Sequence, residues 1–195
     1  MGVSGMILAG GRSSRMGRDK SLLLFQNQTL VEWTVNKLRL FADDIVIAGN
    51  DTAKFNLPGT VEVADVYSGK GPLGGMHAGL MTAKNQYSFT VSCDMPFFNI
   101  ELPQFLLERS WGFDVVVPQI GKYLEPRCAV YSKNCIKPIE ECLEADIRQV
   151  YPFYPKVRTC KITEDELRTI GEVQKMFCNL NTPEDYLAAK INRNK

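Results

Sequence analysis

The chain has 195 residues, 45% of them hydrophobic, which is enough to fill one domain core and too few for two domains of ordinary size. Lys+Arg 23 against Asp+Glu 22 leaves a formal charge of +1, which excludes a broad cationic face for nucleic acid or an anionic membrane and makes any positive field local. No stretch approaches the roughly 20 apolar residues that cross a bilayer, and the first residues lack the basic-then-apolar pattern of an export signal, so a cytoplasmic protein is expected.

Ser4 to Leu8 reads as a buried strand that breaks into Ala9-Gly10-Gly11-Arg12-Ser13-Ser14-Arg15-Met16-Gly17-Arg18-Asp19-Lys20. Paired glycines let main-chain N–H groups approach an anion closely, and Arg12, Arg15 and Lys20 add positive charge for phosphoryl oxygens. From Leu30 to Phe41, the residues Leu30, Val31, Thr34, Val35, Leu38 and Phe41 share a helical face, and Thr29 with Glu32 forms a capping box. Asp44 to Ala48 and Thr60 to Ala64 are β-branched strands, Gly75 to Lys84 is a helix, and Tyr87 to Ser92 is a further buried strand.

A helix across Glu101 to Arg109 precedes the strand Asp114 to Pro118, and Gly121-Lys122 turns a hairpin into Arg127 to Tyr131. Asn134 to Glu144 has mixed helical spacing, with Glu140, Glu141 and Glu144 on a solvated face. Tyr151 to Pro155 is a connecting loop. Thr182 caps a helix from Pro183 to Ile191, with proline at its first position and acids in its first turn. Strands alternating with helices predict a Rossmann-like, three-layer α/β/α domain with a mainly parallel sheet, occupying residues 1–195.

Ligands of such sheets bind outside the carboxyl ends of the strands. Three segments fall there: the loop Leu8 to Lys20; Asp65, ahead of Gly69-Lys70-Gly71-Pro72-Leu73-Gly74-Gly75; and Asp94. A triphosphate reacts readily when a carboxylate-held divalent cation shields its charge, so Asp94 is the expected magnesium ligand, with Asp65 either a second carboxylate or a nucleotide contact. The loop fits neither the P-loop spacing nor the dinucleotide pattern G-x-G-x-x-G. The six cysteines show no C-x-x-C pair and read as reduced, mostly core residues, and the lone histidine, His77, reads as structural.

The run Leu8 to Lys20 resembles the signature of nucleotidyltransferases with the nucleotide-diphospho-sugar transferase type of fold. Asp65 with Gly71 to Gly75, Ser92 to Pro96, Glu125-Pro126-Arg127-Cys128-Ala129-Val130-Tyr131, and Phe177 to Asp185 resemble one branch, the molybdenum cofactor guanylyltransferases. That resemblance implies transfer of GMP from GTP to the terminal phosphate of molybdopterin, with release of pyrophosphate. It implies that Leu8, Ala9, Gly10, Gly11, Lys20, Asp65 and Asp94 bind GTP, that Asp94 holds Mg2+, and that Asn179 and Asn181 bind the molybdopterin side.

In the transfer, Arg15, Lys20 and Asp94 form the expected catalytic set, since charge grows on the leaving pyrophosphate while an ionised acceptor needs no strong base. Where some members of the family carry asparagine on the guanine-facing side after the second strand, this chain has Ala48-Gly49-Asn50, with Asn50 as the substitute, and Arg148 stands where a more basic helix near the acceptor is expected. Partners are GTP and molybdopterin, with other cofactor-assembly proteins or molybdoenzymes expected from the family. Two other readings keep the same loop: a cytidylyltransferase acting on a molybdopterin, sugar or alcohol phosphate, and a non-catalytic nucleotide-binding protein.

Overall fold

A computed structural model describes residues 2–9, 19–49, 53–67 and 69–191. In chain order the strands are β1 (Val3–Leu8), β2 (Leu24–Phe25), β3 (Gln28–Thr29), β4 (Asp44–Gly49), β5 (Thr60–Ala64), β6 (Tyr87–Ser92), β7 (Val115–Ile120), β8 (Tyr123–Leu124), β9 (Cys128–Ser132) and β10 (Thr159–Ile162). The helices are α1 (Leu30–Leu38), α2 (Pro72–Thr82), α3 (Glu101–Glu108), α4 (Ile136–Glu144), α5 (Glu164–Arg168), α6 (Val173–Met176) and α7 (Pro183–Ile191). Among the described residues, no helix is long and apolar enough to cross a membrane.

The main sheet has the order β10-β7-β9-β6-β1-β4-β5, with β8 paired to β7. β6, β1, β4 and β5 run parallel, so their carboxyl ends open on one edge. β1 is buried along its whole length, as a parallel strand covered on both faces must be. Its alternation divides the core: Ile7 joins Val31, Val35 and Leu38 of α1 on one face, while Met6 and Leu8 join Leu73, Met76 and Leu80 of α2 on the other.

The capping box is present: the Thr29 hydroxyl accepts from the Glu32 N–H at 3.2 Å, and the Glu32 carboxylate accepts from the Thr29 N–H at 2.6 Å. α1 ends at Leu38, three residues before the expected Phe41, and Leu40 is exposed. α7 has the expected bounds.

Three features depart from the sequence reading. The hairpin β2–β3 turns on Gln26 and Asn27, both at positive φ, and carries no glycine to announce it. Tyr151 to Lys156 is a 3-10 helix rather than a connecting loop, because Phe153 and Tyr154 are core residues; the Tyr154 hydroxyl meets the Tyr131 hydroxyl at 2.7 Å. β10, α5 and α6 complete the far side of the sheet from a segment with weak periodicity.

The strand that matters most for the site is β9, expected as the return arm of the Gly121-Lys122 hairpin; β8 takes that place, and β9 is the next strand. It is inserted between β6 and β7 and runs antiparallel to both. Its amino-terminal end therefore lies beside the carboxyl end of β6, and the Ser92 N–H donates to the Arg127 carbonyl at 2.9 Å.

Candidate active site

Backbone hydrogen bonds tie the strand ends together along one edge. The Ala9 N–H donates to the Ala48 carbonyl at 2.8 Å, Cys93 N–H to Leu8 at 3.2 Å, and Asp65 N–H to Gly49 at 3.1 Å. Leu8 is buried and Ala9 half-buried at the end of β1. Gly10, Gly11, Arg12, Arg15 and Asn50 lie outside the described residues.

Asp94 follows β6 at the centre of the edge, with its side chain only 9% exposed. Two cations flank it: Lys20 Nζ is 3.7 Å from Oδ2 and Arg127 Nη1 is 3.8 Å from Oδ1. Each cation reaches on to an asparagine. Lys20 Nζ donates to Asn181 Oδ1 at 3.0 Å, and Arg127 Nη2 donates to Asn179 Oδ1 at 3.3 Å.

The segment that carries both asparagines is pinned to the same carboxylate-bearing residue, the Leu180 N–H donating to the Asp94 carbonyl at 2.9 Å. Neither asparagine is spent on capping α7. Thr182 does that, its hydroxyl accepting from the Asp185 N–H at 3.1 Å, while Asp185 accepts in return from the Thr182 N–H at 2.9 Å. Phe177 to Asp185 therefore folds so that two amides 2 residues apart face two cations across one aspartate.

Lys20 is positioned locally as well. Asp19 caps the 3-10 helix Lys20–Leu22, accepting from the Ser21 N–H at 2.9 Å, and also pairs with Lys54. Glu125 lies within electrostatic reach of Arg127 and Asp185 within reach of Lys20, so the cluster is an array of cations and carboxylates in which Lys20 and Arg127 both face Asp94. The Oδ1 atom of Asp94 is buried without a hydrogen-bond partner, and among the described residues no group of three carboxylate, histidine or cysteine side chains forms a ready metal cage. An orphaned hard oxygen on a carboxylate fits magnesium, which takes one or two carboxylates and fills its shell with phosphate oxygens and water.

Asp65 serves the opposite end of the edge, three strand spacings from β6, or roughly 14 Å across the sheet. It faces the start of α2, where a Cβ on Gly74 or on Gly75 would stand 3.3 Å from its carboxylate oxygens, so glycine at both positions lets the helix close over the carboxylate. Burial pushes the Asp65 carboxyl up from 3.8 to about 6, and Oδ1 has no hydrogen-bond partner.

The folded state holds this proton more tightly than the unfolded chain. The contribution of Asp65 to stability is therefore complete below its ordinary value of 3.8 and is lost as pH rises through about 6. Asp65→Asn is expected to match the wild-type melting temperature near pH 4 and to exceed it by a few degrees at pH 7. Thermal melts from pH 4 to 8 check this; a variant that melts lower at pH 7 would show that the ionised carboxylate is satisfied in the fold.

Other titratable groups have structural places. Burial, with the charge of Asp94 beside it, pushes the Cys93 thiol up to about 12, so it stays neutral and is no nucleophile. Every cysteine is unpaired with another; Cys93, Cys128, Cys135 and Cys142 are buried, Cys160 is half-buried and Cys178 is exposed. His77 is buried on α2, with Nε2 2.9 Å from Glu140 Oε1 and its ring edge-on to Tyr67.

The acidic run on α4 is therefore less bare than its sequence suggests: Glu140 meets His77 and Glu141 pairs with Lys156 at 2.7 Å. Arg148 is exposed and paired with Asp146, which also holds Lys70 at 2.6 Å. The residue that motif reading left without a role is Arg127. Its sequence signals are a basic side chain at the start of an expected strand and a place in the run Glu125 to Tyr131, neither of which shows that it meets Asp94.

The family model described as MobA-like NTP transferase domain matches residues 5–157. A relative from Pelotomaculum thermopropionicum named "Probable molybdenum cofactor guanylyltransferase" is 41% identical over 190 residues, covering 97% of this chain and 92% of its own length. The "Molybdenum cofactor guanylyltransferase" of Syntrophotalea carbinolica is 34% identical over 185 residues, covering 94% and 88%.

Among solved structures, molybdopterin-guanine dinucleotide biosynthesis protein A from Archaeoglobus fulgidus matches with a TM-score of 0.85 at 23% identity over 98% of each chain. The 2-C-methyl-D-erythritol 4-phosphate cytidylyltransferase of Thermus thermophilus matches with a TM-score of 0.71 at 17% identity over 100% of each chain. These two establish the fold as the α/β nucleotide-diphospho-sugar transferase type. With the family model covering most of the chain and relatives of one name aligned over nearly all of it, the chain belongs to the MobA-like NTP transferases, within the molybdenum cofactor guanylyltransferase family.

Proposed function

We propose that this protein is a magnesium-dependent guanylyltransferase that moves GMP from GTP to the terminal phosphate of molybdopterin in the molybdenum cofactor, working in the cytoplasm. The observation that carries the reading is the buried Asp94 carboxylate, one oxygen unpartnered, held between Lys20 and Arg127 on the carboxyl edge of the parallel sheet. An oxygen of the acceptor phosphate attacks the α-phosphorus of GTP, the bond to the bridging oxygen breaks, and pyrophosphate leaves opposite the incoming group.

Leu8, Ala9, Gly10 and Gly11 bind the nucleotide through backbone groups, Arg15 and Lys20 take up charge developing on the pyrophosphate, and Asp65 contacts the nucleotide from the far end of the edge. Asn179 and Asn181 bind the molybdopterin side. Asp94 holds magnesium, whose chemistry there is to neutralise phosphate oxygens and fix their geometry. The acceptor phosphate is already ionised, so the neutral Cys93 and the distant His77 are not needed as bases.

The test is pyrophosphate release with the molybdopterin-bearing cofactor and either GTP or CTP. The expected result is release that requires both GTP and the acceptor, is abolished by a chelator and returns with magnesium. Release with CTP alone would assign a cytidylyltransferase, and nucleotide binding with no release from either would assign a binding protein.

A further inference from the structure

Among the described residues, two cations flank Asp94, each against a different oxygen of its carboxylate. Lys20 ends the loop that follows β1, on the β1 side of β6, whereas Arg127 precedes β9, on the other side. The charge of Glu125 also bears on Arg127, as that of Asp185 does on Lys20. Arg127 is also not fully consumed: its side chain stays 34% exposed, and its contacts to Asp94 at 3.8 Å and Asn179 at 3.3 Å are long for charge-assisted bonds.

The reaction has two phosphates to place. In an in-line displacement the attacking oxygen enters opposite the leaving pyrophosphate. In the proposed reaction Lys20 takes up charge on the triphosphate, so the attacking phosphate comes from the β9 side of Asp94, where Arg127 stands. We infer that Arg127 binds the phosphate of the acceptor, presenting its guanidinium fork to the attacking group from the face of Asp94 opposite Lys20, with Asn179 holding that fork in place. The inference rests on the guanylyltransferase reading above and assigns this position within it.

The turn that carries Arg127 is built to be stiff. Its carbonyl accepts from the Ser92 N–H at 2.9 Å, the Cys128 N–H donates back to the Glu125 carbonyl at 3.1 Å, and the Pro126 carbonyl accepts from the buried Tyr131 hydroxyl at 2.6 Å. Tyr131 in turn meets Tyr154 at 2.7 Å beneath the turn. A planar, always-charged fork on a fixed backbone is the arrangement that recognises phosphate with geometric selectivity.

The deciding experiment is equilibrium titration of the molybdopterin-bearing acceptor, without GTP, into wild type, Arg127→Gln and Arg127→Lys, repeated with the dephosphorylated acceptor. The expected result is at least a tenfold weaker Kd for the phosphorylated acceptor in Arg127→Gln, a smaller loss in Arg127→Lys, and no difference between variants once the phosphate is removed. Equal Kd values for the phosphorylated acceptor would overturn the inference, and so would a loss that persists with the dephosphorylated one. Because the titration needs no turnover, it decides Arg127 whether or not GTP proves to be the donor. In turnover, the KM for the acceptor should rise at least tenfold in Arg127→Gln while the KM for GTP changes less than twofold; a matching rise in the KM for GTP would place Arg127 on the triphosphate instead.

Discussion

Asp94→Asn is expected to lower the rate of pyrophosphate release by about 10²- to 10³-fold, the scale of removing one charge-organising group from a transfer site, with the melting temperature nearly unchanged. The amide keeps the volume of the carboxylate and the backbone contact with Leu180, so the edge retains its shape. What disappears is the one anion between Lys20 and Arg127, at 3.7 and 3.8 Å, together with the hard oxygen expected to hold magnesium.

Two opposing terms keep the stability change small. Losing the carboxylate leaves two cations without their shared anion, but each keeps its bond to an asparagine, Lys20 to Asn181 at 3.0 Å and Arg127 to Asn179 at 3.3 Å. The same change relieves the burial of a charged oxygen that has no hydrogen-bond partner. Steady-state rates and a thermal melt read the two effects separately, and undiminished turnover in Asp94→Asn would remove Asp94 from the transfer machinery.

Lys20→Met is the second variant with a large expected effect: about a hundredfold loss in kcat, with Lys20→Arg recovering only part of it. A methionine preserves most of the stem while deleting a compact point charge that contacts Asp94 and Asn181 together. An arginine restores charge, but its flat fork does not reproduce an ammonium held on a 3-10 helix capped by Asp19. Because Lys20 also tethers the Asn179 to Asn181 segment, the variant should expose the C-terminal segment to faster amide exchange. Wild-type kcat in Lys20→Met would show that leaving-group charge is handled elsewhere, by the loop Gly10 to Arg18.

The parts of the site that follow local rules were legible from the chain alone. Asp65 and Asp94 stand where strands end, and the strand ends are set by buried runs that give way to turn residues; Lys20 sits a fixed distance past the first of them. The Thr29–Glu32 capping box and the Pro183–Ile191 helix were equally readable, because a cap and a helix start depend on residues within one turn of each other.

Asn179 and Asn181 were marked by resemblance, but nothing local distinguishes an asparagine that caps a helix from one that faces a cation 161 residues away in sequence. The helical turn in the aromatic-proline segment Tyr151 to Pro155 is hidden from the sequence for a related reason. Its two prolines and lack of periodicity signal a loop, while the burial of Phe153 and Tyr154 depends on Tyr131 from another element.

By itself the sequence determined the chemistry available and the periodic elements: a glycine-rich basic loop after the first strand, carboxylates closing two others, and apolar runs that require a sheet covered on both faces. Only the tertiary structure decided which of these groups meet. The insertion of β9 antiparallel between β6 and β7 brings Arg127 to Asp94, and the bond from Leu180 to Asp94 brings the C-terminal asparagines to both cations. Caps and periodicities are settled by bonds between neighbours in the chain, whereas strand order and direction are settled by burial summed over the whole sheet, which no short stretch of sequence contains.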